Sequence, residues 1–240
     1  MAVPSALDLL WGRQQPPRRG PKPSLSLERI VAEAIALADA EGLASLSMQH
    51  LAERLGCAKM ALYRYVPGKA ELVALMVDAA LGDPPPAPAQ AAADGEPAWR
   101  AVLRQWATTI FGRYRAHAWA IEATAGARPT GPHEMAWLES ALTALAGTGL
   151  TGAERLDAVV LLNGHVRSLV QVTSAGAELE GELTGQVSAA LSAHADRYPQ
   201  VVAAFSAGPG PAGRNNALSF GIDRILDGLA ALIADREQSG

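Results

Sequence analysis

Two tyrosines, an arginine and two lysines crowd one short stretch, CAKMALYRYVPGKAEL, residues 57 to 72. A tyrosine hydroxyl, an ammonium group and free backbone N–H groups all donate hydrogen bonds that phosphate oxygens accept. Guanidinium and carboxamide groups can read base edges. Nothing catalytic accompanies them. The chain has no GxxxxGK[ST] phosphate loop, no HExxH pair and no recognisable nucleophile–base arrangement. His117, His133, His165 and His194 lack metal-ligand spacing. The lone Cys57 excludes an internal disulfide and a cysteine-rich zinc site. The expectation is neither an enzyme nor a metal protein, with no cofactor implied.

The elements that must position this stretch are short helices. Ile30, Ala34, Leu37 and Ala38 follow a 3.6-residue period from a Ser26 cap to Gly42. Ser47 opens a second segment, MQHLAERL, which stops at Gly56, and the quoted stretch supplies a third. A fourth runs from Gly68 through Leu72, Leu75, Met76 and Ala79. Two short helices joined at Leu55-Gly56-Cys57-Ala58 form a helix-turn-helix pattern, whose second helix enters the DNA major groove by its first residues. Packing Leu51, Leu55 and Leu62 on the first helix turns Lys59, Ala61, Tyr63 and Arg64 outward. On these residues alone, two small packed helices without a DNA role remain the alternative.

Charge agrees with a small anion-facing module on an acidic body. The net charge is -4, yet residues 1 to 82 carry nine basic and eight acidic side chains, and residues 83 to 240 eleven and sixteen. Residues 1–23 read as a flexible basic arm and 24–82 as the helix-turn-helix domain, with its motif at 47–66. Residues 83–96 read as a Pro/Ala linker and 97–240 as a ligand-binding and dimerisation domain. Helical runs are expected at 134–147, 153–175, 185–206 and 216–236, with strand signals almost absent, so the fold class is all-α. No run is long and apolar enough to span a membrane, and the first residues lack a secretory pattern, so a cytoplasmic location is expected.

The stretch LSMQHLAERLGCAKMALYRYVPGKAELVALMVDAAL closely resembles the DNA-binding domain of the tetracycline-repressor (TetR) family. The initial helix ending in AEGL, the LAERLG and LYRYV blocks and the GK-x-EL opening of the fourth helix carry the likeness. The resemblance implies a dimeric, ligand-released repressor of double-stranded DNA. Position by position, it implies that Ser47 binds phosphate, that Gln49 reaches a base, and that Lys59, Met60, Ala61 and Arg64 face the groove. It implies phosphate anchors at Tyr63, Tyr65 and Lys69. Cys57-Ala58 departs from the family's Ser or Thr at the start of the third helix, which leaves that helix without a strong cap.

In the second domain, GARPTG (126 to 131), LES and NGHVRSL resemble the tetracycline-repressor type of C-terminal domain. There a histidine just before the Arg-Pro-Thr turn binds a drug-held magnesium ion. Thr124 takes that place here, and a hydroxyl is a poor substitute for imidazole, so a magnesium-held ligand is not expected. Asn163, His165 and Arg167 interrupt an apolar helix. They either line a small-molecule pocket, with Trp106 and Trp137 among its walls, or satisfy one another across a dimer interface. Leu218, Ile222, Ile225, Leu229 and Leu232, with Leu226 and Ile233 beside them, suit either pairing with 153–175 in a homodimer or a wide monomer core. The expected function is a ligand-responsive repressor that binds a palindromic operator and is released by a small apolar or aromatic effector. The alternative is a helical binding or scaffold protein without a DNA role.

Overall fold

The structure is a computed structural model that describes residues 5–12, 25–88, 95–173, 186, 194–206 and 217–239. Those residues are helical, with no strand among them. The first helix contradicts the expectation of a flexible arm. Residues 5 to 12 form α1 (Ala6–Trp11), closed by a reciprocal cap in which the Asp8 N–H donates to Ser5 Oγ at 3.2 Å and the Ser5 N–H to Asp8 Oδ2 at 2.9 Å. The Ser5 hydroxyl, which donates to Asp8 Oδ2 at 2.7 Å, and then the Ser5 N–H hold the Asp8 carboxyl below its usual range. The basic residues expected in the remainder of the arm lie outside the described residues.

α2 (Leu27–Glu41) starts on the Ser26 hydroxyl and ends at Gly42. After a 3-10 turn (Leu43–Ser45) come α3 (Met48–Leu55), α4 (Lys59–Leu62) and α5 (Lys69–Leu81). Ile30, Ala34, Leu37, Leu51, Leu62, Val66 and Leu72 are fully buried among these helices. α1 packs on α5 with Leu10 buried, and the Trp11 indole donates to the Thr130 carbonyl at 2.9 Å.

The second unit comprises α6 (Ala98–Ala116), α7 (Trp119–Ala123), α8 (Pro132–Ala144), α9 (Gly152–Thr173), α10 (Pro199–Ser206) and α11 (Ala217–Ser239). α6, α9 and α11 pack on one another, and α8 lies against α5 and α6. The short α7 has no counterpart among the expected helices. Of the expected 185–206 run, the helix described is Pro199–Ser206, and the AGPGPAGRNN stretch after it lies outside the described residues. Ile222, Leu226, Leu229 and Ile233 are buried within the single chain, and Leu218, Ile225 and Leu232 pack against its core. The apolar stripe of the last helix is therefore monomer core and not spare dimer surface. No helix of the described residues is long and apolar enough to cross a membrane.

Candidate nucleic-acid interface and effector domain

α3 begins at Ser47, whose hydroxyl accepts from the His50 N–H at 3.1 Å, and stops at Gly56, which adopts a left-handed conformation (φ 66°, ψ 35°). The Cys57 N–H then returns to the Ala52 carbonyl at 3.0 Å, which closes the tight turn. α4 starts at Ala58 with no side-chain cap, as Cys57-Ala58 led us to expect. Its helical course continues as turns, with the Tyr65 and Val66 N–H groups donating to the Leu62 carbonyl at 2.9 and 3.0 Å. Burial of Leu51 and Leu62 leaves Ser47, Gln49, Lys59, Met60, Arg64 and Lys69 exposed, with Ala61 and Tyr63 half-buried.

Several of these side chains already have intramolecular partners. Gln49 Nε2 donates to Glu53 Oε1 at 2.7 Å, and the Lys59 ammonium lies 5.9 Å from the centre of the Tyr63 ring. Lys69 Nζ is 3.4 Å from the Leu43 carbonyl at the first turn of α5. Tyr65 is engaged too: its hydroxyl donates to the Leu25 carbonyl at 2.9 Å and braces the entry to α2. That bond competes with the expected phosphate contact.

The joint between the two units is built around α5, through a carboxylate 55 residues from its partners. Asp78 is only 5% exposed. Its Oδ1 accepts from the backbone N–H groups of His133 (2.9 Å) and Glu134 (3.1 Å), and its Oδ2 from His133 Nδ1 (2.8 Å). It thus caps the start of α8 from another helix, because Gly131 at the cap position has no side chain of its own. A Cβ at residue 131 would overlap the Asp78 carboxylate, so this glycine is what admits it. Arg128 pairs with Glu134 beside this cap, and its guanidinium is held charged above its ordinary range chiefly by that bond. A second carboxylate, Asp39 of α2, accepts from His117 Nδ1 at 2.9 Å and from the Trp119 indole at 2.6 Å.

Trp106 and Trp137 meet edge to face, with ring centres 5.6 Å apart. The Trp106 indole donates to the Trp137 carbonyl at 2.9 Å, and the Trp137 indole to the Gly82 carbonyl at 2.8 Å, immediately past the end of α5. Trp106 also walls a cavity of about 240 Å³ with Val102, Gln105, Ser140 and Pro85–Ala87 of the expected linker, and Gln105 Oε1 is buried without a hydrogen bond. A second cleft of about 380 Å³ lies between α8 and the start of α9, lined by Glu139, Leu142 and Arg155.

Asn163, His165 and Arg167 are not among the residues that line these two cavities. His165 faces α11, where its Nε2 lies 3.3 Å from the Leu218 carbonyl and its ring fills the space a Cβ at Gly221 would need. Arg167 donates to Thr124 Oγ1 at 2.6 Å and to the Ile121 carbonyl at 3.3 Å, and lies over the Tyr114 ring. Burial raises the Tyr114 phenol above its usual range, with Arg167 partly opposing the shift. Asn163 is half-buried and its Oδ1 has no hydrogen-bond partner. Along the helix residues 163 and 165 point about 200° apart, whereas 163 and 167 lie on one face.

A helix-turn-helix carried by α3 and α4, continuous through α5 with a larger helical domain, defines a two-domain helical protein of DNA-binding type. The comparisons with known proteins agree. Residues 30–76 match the model for bacterial regulatory proteins of the tetR family, and residues 91–233 match the tetracyclin repressor-like C-terminal domain. The HTH-type transcriptional repressor DrrR1 of Streptomyces coeruleorubidus is 37% identical over 98% of this chain and 88% of its own length. Apo ActR from Streptomyces coelicolor superposes with a TM-score of 0.72 at 24% identity, covering 92% of this chain and all of that one. ActR in complex with (S)-DNPA gives 0.67 at 25% identity, over 86% and 98%. The chain belongs to the tetR family of transcriptional regulators. As a member of that family it is a DNA-binding transcriptional regulator and not an enzyme.

Proposed function

We propose that the protein is a homodimeric repressor of a palindromic operator, released when a small aromatic or largely apolar effector enters the second domain. The observation that carries this reading is the course of α5. The helix begins at Lys69, beside the solvent-facing α4, and ends where Asp78 and Gly82 are held by α8. Movement of α8 therefore bears on the helix that positions α4. Exposed Leu156, Val160, Leu161 and Val172 on α9 and Phe220 on α11 support a second copy, as does α10, which buries no residue within one chain.

A ligand shifts the balance only through its different affinity for the two states. The coupling expected is about 1–3 kcal/mol, or roughly five- to 150-fold in operator affinity. The Trp106 cavity is the favoured entry site, since its wall leads through Trp137 to Gly82. At about 240 Å³ it falls below the usual range of roughly 300–1,000 Å³ for ligand sites, so a polycyclic effector needs the Pro85–Ala87 segment to yield. The relative ActR, which is bound to (S)-DNPA, supports an organic effector. The guanidinium of Arg167 beside Thr124 disfavours a magnesium-held one, because two cations there would repel.

Footprinting on the DNA upstream of the protein's own coding sequence, with sedimentation of the same sample, tests the reading. Two protected half-sites in inverted repeat are expected, about 34–36 Å apart or somewhat more. One asymmetric half-site, or a monomer at working concentration, rejects it.

A further inference from the structure

We infer that Met60 reads the 5-methyl group of a thymine in each operator half-site, an inference that rests on the repressor reading above. Every residue from 25 to 82 is described, and Met60 is the one large apolar side chain exposed among them, at 72%. The domain otherwise keeps its large apolar groups from open solvent, yet leaves this thioether free on the second residue of α4. That is the end of a recognition helix which meets base edges. Its neighbours clear the approach, since Ala58 and Ala61 are small and Leu62 is turned fully inward.

Of the polar side chains nearby, Gln49 donates to Glu53 and the Lys59 ammonium leans over the Tyr63 ring, while Arg64 stays exposed. The first turn of α4 therefore presents an apolar, polarisable surface between its polar readers. The major groove offers one apolar feature, the thymine methyl. Met60, unbranched and adaptable, fits against it without a fixed hydrogen-bond geometry to satisfy.

The test selects operators from a random duplex pool with the wild-type protein. Each thymine of the selected duplex is then replaced by uracil, which removes only the methyl group. Wild type should lose about fourfold in affinity at one symmetric position per half-site, and about fifteenfold when both are replaced, as one buried methyl-sized group of about 0.8 kcal/mol predicts. Met60→Ala should show no uracil penalty at that position and should select a relaxed base there. Its fold is not at risk, because the side chain is 72% exposed, and the uracil arm leaves the protein unaltered in any case. Wild-type indifference to uracil throughout a specific operator overturns the inference alone, as does an undiminished uracil penalty in Met60→Ala. Failure to enrich any sequence overturns the repressor reading and this inference together.

Discussion

Replacing Asp78 by alanine removes the acceptor for two backbone N–H groups and one imidazole in a single step. The His133 and Glu134 donors, at 2.9 and 3.1 Å, occupy the first turn of α8, where the helix supplies no partner of its own. Loss of an N-cap costs about 0.5–2 kcal/mol, and each donor left buried without a partner about 1–3 kcal/mol. The His133 ring is 38% exposed and recovers a bond from water, so only the backbone pair counts in full. We expect Asp78→Ala to lose about 2–4 kcal/mol, a large share of a typical 5–15 kcal/mol. Asp78→Asn keeps Oδ1 as acceptor for both N–H groups and sacrifices mainly the hydrogen bond to His133, so it should lose about 1 kcal/mol. Urea denaturation measures both, as a shift of midpoint at unchanged slope. Operator affinity without effector should stay within a few-fold, while release by effector weakens, since α8 no longer grips α5. An alanine variant within about 0.5 kcal/mol of wild type, or an asparagine variant as unstable as the alanine one, refutes the cap.

Two further outcomes follow from the geometry. Tyr65→Phe should cost about 1 kcal/mol of stability through the lost bond to Leu25 and leave the salt dependence of operator binding unchanged, whereas Lys69→Ala should reduce the salt slope by about 1; a reduced slope in Tyr65→Phe returns that residue to the phosphate contacts. Glu154, bonded to the Thr151 N–H and hydroxyl and to Arg236 at 2.5 Å, has its carboxyl lowered from 4.5 to about 2. Because the folded value is depressed, the contribution is complete above the unfolded value and is lost as pH falls from about 4.5 towards 2. Carboxyl NMR should show Glu154 titrating higher in Arg236→Gln, and an unchanged midpoint removes Arg236 from the cause.

The helix-turn-helix was legible because its signals are local. Ser47 caps a helix three residues before His50, Gly56 turns left-handed between two short apolar repeats, and each choice is made within a few residues of chain. The same locality made the absent cap at Ala58 readable. α1 was obscured by its setting, since the prolines and arginines that follow it outweigh a six-residue helix with one buried leucine. The reciprocal bond of Ser5 with Asp8 was the signal available. Tyr65 looked like a phosphate donor because its type is right. Its bond to Leu25 spans 40 residues and depends on how the entry to α2 meets the turns after α4.

The sequence by itself determined the helix-turn-helix motif, most of the longer helices and the outward face of Lys59 and Arg64, because caps and a 3.6-residue period act over short separations. Only the tertiary structure decided what the polar groups of the second domain are for. His165 packs on α11, Arg167 holds Thr124, and Trp106 and Trp137 form a relay to Gly82. It also joined Asp78 to a helix start 55 residues away, through the space left by Gly131. A buried carboxylate or indole takes whichever donor or acceptor the packing brings within about 3 Å, and no pattern along the chain encodes that meeting.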